Sequence, residues 1–545
     1  MTIEIPEGWV SCEIGKVAII VSGSTPPSKD LTNFTTEGGI PWITPADLSG
    51  YKDIYISRGV RNLTEKGFAA CSAPKIPPGS VLFSSRAPVG YVAISLNEVT
   101  TNQGFKSFVL PDGLDSRFVY FYLRHIKPIA EIMATGTTFK ELSGSSAARL
   151  PLVIAPLNEQ KRIADKLDAL LARVDASRER LDRIPLILKR FRQAVLAAAT
   201  SGQFTEDWRE ENFDIEPATN LVKQKRFTLA VSDDNLPLLP DNWEWVALGN
   251  YAQCSRGRFS VRPRNDPAYF NGEHPFIQIG NLPSEGGWIT AHKQTLNEKG
   301  LAVSKKFPKG TVVIAIVGAT IGNTGILAYD MCFTDSMVGI DSGDEISNRY
   351  IELFLRHRKE EIRQTSYAGG GQPNIKLEVL NPYPLALPPL AEQHEIVCRV
   401  EVLFAYADRL EARYQAARTQ VDRLTPALLT KAFRGELVPQ DPNDEPASVL
   451  LERIRAQRAA QPAKPKRSQA SRKQTMTKMT EESVKEAISQ LAKDKFSFDE
   501  LRENISGDYD SLKDILFALL SEAEPSLRQV FDREEQTMRF VRTGK

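Results

Sequence analysis

Four arginines crowd one short stretch of the chain. CSRGRFSVRPRND carries Arg256, Arg258, Arg262 and Arg264 within nine positions, with no acid between them and Phe259 interleaved. Guanidinium groups at that density suit phosphate contacts and the bidentate reading of guanine; a plain solvated basic loop is the competing reading. Two further stretches combine glycine with hydrogen-bonding side chains. GTTFKELSG, from Gly136, offers Thr137, Thr138 and Lys140, and GGGQPNIKLE, from Gly369, offers Gln372, Asn374 and Lys376. Amide side chains match the edge of adenine, although a glycine-rich connection into the next strand needs no ligand. Arg86, in the polar run Ser84-Ser85-Arg86 after PPGSVLF, ranks below these.

Residues fit for catalysis are scarce. NPYP (Asn381 to Pro384) faintly resembles an Asn-Pro-Pro-Tyr loop that holds a flipped adenine, but its order is wrong. VGATIGNTG lacks the Lys-Ser/Thr that completes a phosphate loop. His125 and His357 both end LRH and read as structural, and the five cysteines lie too far apart for a zinc site or a disulfide framework. The expectation is therefore no catalytic, cofactor or metal site; the alternative is a stand-alone adenine DNA methyltransferase or nuclease. With 69 Lys and Arg against 68 Asp and Glu, the net charge of +1 gives no global argument for nucleic acid, so local clusters must carry it. No apolar run approaches a membrane span and MTIEIPEGWV lacks a secretory pattern, so a cytoplasmic protein is expected.

The elements that must position these residues come twice. APLNEQKRIADKLDALLARVD, from Ala155, returns as PPLAEQHEIVCRVEVLFAYAD, from Pro388. A heptad seam runs through Ile163, Leu167, Leu170, Val174, Leu181 and Leu188, and again through Ile396, Val400, Leu403, Leu410, Val421 and Leu424. Each copy predicts a helix of roughly forty residues, about 60 Å long, bent or broken at Pro185 and at Pro426 and ended by Gly202 and Gly435. Upstream, IPEGWVSCEIG from Ile5 returns as LPDNWEWVALG from Leu239, pairing Trp9 with Trp243, and Gly23 answers Gly257. PPGSVLFSSRAPVG answers PKGTVVIAIVGATIG, with Gly318 in the place of Arg86. The units before each helix are rich in short β-branched and aromatic runs between turn residues.

The fold class expected is α+β: two strand-rich domains related by pseudo-twofold symmetry, separated by two long helices packed as an antiparallel coiled coil. The predicted boundaries are 1–155 and 239–387 for the globules, 156–204 and 388–440 for the helices, and 205–238 for a linker. Two diverged globules held apart by rigid helices suit two places on one extended object, such as a duplex.

Up to about Asp441 the chain resembles the specificity subunits of type I restriction-modification enzymes. The motifs that carry the resemblance are PLNEQKRIADKLDALLARVD with RIPLILKRFRQAVL, and PLAEQHEIV with RVEVLFAYAD and KAFRGEL. The resemblance implies two target-recognition domains, each reading half of a bipartite site in double-stranded DNA, with the helices setting the gap. It implies no cofactor on this chain, with S-adenosylmethionine, ATP and Mg on partners: two methyltransferase subunits that the helices dock, and two restriction subunits held through them.

Beyond Asp441, residues 441–480 predict a short helix and then a basic flexible linker, QPAKPKRSQASRKQTMTK. Residues 481–545 predict a small winged-helix-like domain of three helices and a hairpin, with Ser497 and Glu500 as a capping box and Phe496 and Leu501 as its staple. Its fifteen acids and ten bases speak for docking a protein rather than DNA.

Overall fold

The computed structural model describes residues 5–136, 140–222, 225–231, 236–367, 374–460, 480–491, 494–503, 505, 509–520, 527–532 and 537–543. Thr137, Thr138 and Gln372 lie outside the described residues. The chain divides into two units, 1–454 and 455–545.

In the first globule, strands β1 (Ile19–Ser22), β2 (Tyr55–Ile56), β3 (Val81–Phe83), β4 (Val92–Ser95) and β5 (Lys106–Val109) form a sheet in the order β1-β5-β3-β4-β2. Helix α1 (Ser116–His125) starts where the Asp115 carboxylate accepts from the N–H groups of Arg117 and Phe118. It shares a core with the sheet through Phe118, Val119 and Tyr122 against Val81, Phe83 and Phe108. The first long helix follows in two pieces, α2 (Leu157–Leu181) and α3 (Ile184–Ser201). Pro185 sits in the first turn of α3, where its missing N–H has no helical partner to lose.

The second globule repeats the topology. Strands β6 (Gln253–Arg256), β7 (Trp288–Ile289), β8 (Val312–Ala315), β9 (Thr324–Leu327) and β10 (Met337–Asp341) run β6-β10-β8-β9-β7, covered by helix α4 (Glu345–His357). A four-stranded sheet lies beside it, sharing one apolar core with it through Val313, Ala315 and Leu327 against Phe307, Met331 and Phe333, and holding a second around Phe259, Phe270 and Phe276. The second long helix, α5 (Leu390–Phe433), is continuous for 44 residues and passes through Pro426 without the expected break. Packing on its partner and the ion pairs beside Pro426 hold a helix that loses only one backbone hydrogen bond there.

Three ion-paired contacts fix how the long helices pack. Arg178 meets Asp422, Asp182 meets Arg418, and Arg192 meets both Asp408 and Glu411. As one partner advances along the first helix, the other retreats along the second, so the helices are antiparallel. Their ends are anchored in different cores: Ile163, Leu167 and Leu171 join Leu429 and Phe433 in the first, and Val195 and Ala199 join Ile396 and Val400 in the second. The globules therefore occupy opposite ends of the helical pair.

The seam is uneven. Ile163, Leu167, Val174, Leu188, Ile396 and Val400 are buried, whereas Leu170, Leu181, Leu403, Leu410 and Val421 are half-buried. Leu424 corrects the heptad reading: it is 43% exposed, and its neighbour Thr425 turns inward to receive Arg178. Leu171 likewise is more buried than Leu170. A strict seven-residue repeat drifts across the face of a helix with 3.6 residues per turn, and in the middle of the rod arginine–carboxylate pairs take over from apolar contacts.

Each long helix is clamped to its globule by the repeated Glu-Gln pair at its start. The indole N–H of Trp9 donates to Glu159 at 3.0 Å, and that of Trp243 donates to Glu392 at 2.8 Å. Gln160 and Gln393 each donate back to a carbonyl five residues earlier, at 2.8 and 2.9 Å. The repeat also continues past the helices. EPAS at Glu445 answers EPAT at Glu216, and Ala447 donates to the carbonyl of Gly8 as Ala218 does to that of Asn242. The expected boundary at Asp441 thus falls inside the first core, because helix α6 (Ala447–Ala460) seats Leu450, Leu451 and Ile454 there.

The C-terminal unit contains helix α7 (Glu481–Gln490), strand β11 (Lys495–Phe496), helices α8 (Phe498–Glu503) and α9 (Tyr509–Leu520), and strands β12 (Leu527–Asp532) and β13 (Thr537–Arg542). The hairpin gains β11 as a third strand, in the order β11-β13-β12, which completes the winged-helix-like plan. Ser497 and Glu500 form the capping box, while Phe496 and Leu501 are fully buried.

Candidate nucleic-acid interface

Strand register gathers the sequence candidates at one end of each five-stranded sheet. In the first globule β1 ends at Ser22 opposite Lys106, where β5 begins, and β3 ends beside them at Phe83. In the second, β6 ends at Arg256 opposite Val338 near the start of β10, and β8 ends at Ala315. Gly23 and Gly257 follow the equivalent strands for the same reason. A Cβ on either would lie 2.1 Å from the carbonyl oxygen of Thr101 or 2.3 Å from that of Thr334, so only glycine passes.

The described residues that follow the glycine-rich stretches meet the same end. Leu142 donates its N–H to Ser85 at 2.8 Å and Arg86 bridges Glu141; in the second copy Ile375 donates to Ile316 at 2.9 Å and Val317 bridges Asn374. Val317, not Gly318, is thus the counterpart of Arg86. Arg86 lies 3.6 Å from the Glu141 carboxylate. Lys140, Asn374 and Lys376 are exposed, the last preceding a single helical turn.

The arginine loop is less free than its sequence suggests. Arg258 donates to the carbonyls of Ser304 and Ala302, and Arg262 to those of Phe259 and Val261. Arg256 donates to the backbone carbonyl of Asp335 at 2.6 Å, and the Asp335 carboxylate lies 2.5 Å from Arg264 and 3.5 Å from Arg262. The acid missing from the stretch comes from the turn before β10. Phe259 is not an interleaved surface ring. It is 1% exposed, packed among Phe270 and Phe276, because a ring on so charged a loop is placed where it can leave water. Arginines tethered to carbonyls still present their remaining donors outward, and the tether fixes where those donors point.

Sequence reasoning missed Lys106. It is 8% exposed, its pKa is lowered by burial, and among the described residues no hydrogen bond or ion pair meets its ammonium. A single lysine in KSFV carries no periodic or motif signal, so only the register brings it beside Arg86 and Glu141. The NPYP stretch sits elsewhere. Asn381 is stitched by backbone hydrogen bonds to Gly249 and Leu377, and Tyr383 is buried with its hydroxyl on Glu361. His125 stacks on Phe433 at 5.4 Å, in the joint between α1 and α5, and burial lowers its pKa. Among the described residues no group of His, Cys, Asp and Glu could hold a metal ion, and no helix is long and apolar enough to cross a membrane.

The family model for the type I restriction modification DNA specificity domain matches this chain twice, over residues 6–186 and 240–417. The chain belongs to that family. Among curated relatives it is 34% identical to the EcoDI specificity subunit of Escherichia coli, over 67% of this chain and 81% of the relative. It is 30% identical to the EcoBI specificity subunit of the same organism, over 86% and 96%. The MjaIX specificity subunit of Methanocaldococcus jannaschii is 29% identical over 79% and 95%. A solved structure from work on assembly and conformational transition of the type I R-M system covers 79% of this chain at a TM-score of 0.59 and 19% identity, a likeness of fold. As a specificity subunit the chain is a non-catalytic DNA-recognition component, and the methyltransferase alternative is not favoured.

Proposed function

We propose that each globule reads one half of a bipartite, gapped site in double-stranded DNA through the loops at its sheet end, and that the helical pair sets the gap. The observation that carries this reading is the antiparallel register of the long helices, which holds two equivalent loop clusters at opposite ends of one rod. From Ile396 to Leu429, where α5 leaves one core and enters the other, the rise is about 50 Å. The candidates are Arg86 and Lys140, with Thr137 and Thr138, for one half, and the arginine loop with Gln372, Asn374 and Lys376 for the other. The exposed middle of the rod would dock two methyltransferase subunits, and two restriction subunits would attach through these, bringing S-adenosylmethionine, ATP and Mg. The globules are 1–155 and 239–387 in this plan, with α6 closing the first; the acidic domain 481–545 docks a protein.

The test inserts four residues, about 6 Å of helix, at matching points of both long helices of the full chain, bound with its methyltransferase partner to duplexes of varied gap. The preferred gap changes and the half-site sequences do not. Altered base preferences within the half-sites would show that the helices are not spacers.

A further inference from the structure

The two globules share a fold, yet one point at their sheet ends differs in kind. In the first, Lys106 opens β5, Ser85 follows β3, and Arg86 and Glu141 bridge beside them. The positions that answer them in the second are Val338, Ile316, Val317 and Asn374. The bridge from Ser84 to Phe105 and the pairing of Val81 with Phe108 put Lys106 opposite Phe83. Lys106 and Ser85 therefore share one face of the sheet, a step apart. Both residues are buried; Ser85 Oγ has no partner among the described residues, and the Lys106 ammonium makes no hydrogen bond or ion pair there but keeps an opening to solvent. The charges that act on the ammonium are those of Glu141 and Arg86.

A lysine whose stem is buried and whose ammonium has no ion-pair partner opposes folding, the more so the less solvent reaches it. We propose that Lys106 is a specificity residue of the first globule, its ammonium donating to the O6 and N7 of a guanine in the half-site that this globule meets. Arg86 and Glu141 form the rim that admits the base edge. The inference rests on the reading that each globule meets one half-site. A guanine rather than a phosphate follows from the asymmetry. Phosphates are alike in both half-sites, so a phosphate ligand belongs in both copies, whereas a group present in one copy and replaced by valine in the other belongs to what differs between the halves. A lysine at a base edge is a donor only, and guanine presents two acceptors side by side in the major groove.

The test uses the full chain with its methyltransferase partner and a pool of randomised duplexes. Wild type selects two fixed half-sites, and Lys106→Met loses the preference for guanine at one position of one half, a change of about 10- to 100-fold, with the other half and the gap unchanged. Replacing guanines of that half one at a time by 7-deazaguanine, which lacks the N7 acceptor, weakens wild type at the same position and leaves Lys106→Met indifferent. An unaltered selection, or a uniform weakening on every sequence with a shallower salt dependence, overturns the proposal in favour of a structural or phosphate role. If Lys106→Met fails to fold, the 7-deazaguanine scan on wild type decides, and a half-site with no sensitive guanine overturns it. Failure of wild type to select any two-part site overturns the underlying reading instead, and this proposal with it.

Discussion

The two clamps that join the long helices to the globules are built from the same residues and finished differently. Glu392 is fully buried and both its oxygens are used: one accepts from Trp243, and the other from Thr205 at 2.6 Å and Arg209 at 2.5 Å. Glu159 is as buried, and its second oxygen has no partner. Counting from the glycines that end the two helices, Gly202 and Gly435, the residues answering Thr205 and Arg209 are Val438 and Pro442. Burial raises the Glu159 pKa, only partly offset by the Trp9 hydrogen bond and Arg162. The second clamp lies within continuous chain. The first must bring the segment after α5 back to the start of the chain, through Ala447 on Gly8, Gln440 on Glu7 and Arg162 on Asp444 at 2.6 Å. Repetition has preserved the shape of the joint, while its electrostatic completion has been kept on one side only.

Breaking the complete clamp gives the largest effect. Arg209→Ala strips Glu392 of its charge partner in a buried setting and costs about 3–5 kcal/mol locally. Hydrogen exchange in peptides spanning 239–252 and 390–400 reads it, and unchanged protection there would mean that Thr205 and Trp243 suffice. In the rod, Leu167→Ala removes a fully buried side chain and costs about 2–5 kcal/mol, whereas Leu424→Ala stays within about 0.5 kcal/mol; equal losses in denaturant would restore the strict heptad seam.

Completing the incomplete clamp is the converse experiment. Val438→Thr offers a hydroxyl to the idle oxygen of Glu159 and gains about 1 kcal/mol, seen as slower exchange in residues 5–12. The smallest effect is in pH. Because the folded pKa of Glu159 is raised, the stability linked to its protonation is present below the ordinary glutamate value and lost as pH rises through the folded value. Glu159→Gln is therefore the more stable protein at neutral pH, and its advantage shrinks as pH falls toward about 4.3. An advantage that grew on acidification would show the carboxylate to be stabilised by its surroundings.

What the sequence by itself determined is the plan, because repetition and periodicity are properties of order along the chain. Two globules, two long helices with glycine stops, the capping box at Ser497 and the family motifs were all legible there. Tertiary structure decided what depends on residues distant in sequence. Asp335 reaches the arginine loop from a turn some seventy residues on, Glu159 meets Trp9 across the whole first globule, and Lys106 comes beside Arg86 only through strand register. Phe259 and Leu424 were misplaced for a related reason: a local pattern says that a side chain is apolar, while the surface available at its position decides whether it is buried. Pro185 and Pro426 complete the contrast, since the same residue starts a new helix in one copy and is carried within a continuous one in the other, by packing that no local rule contains.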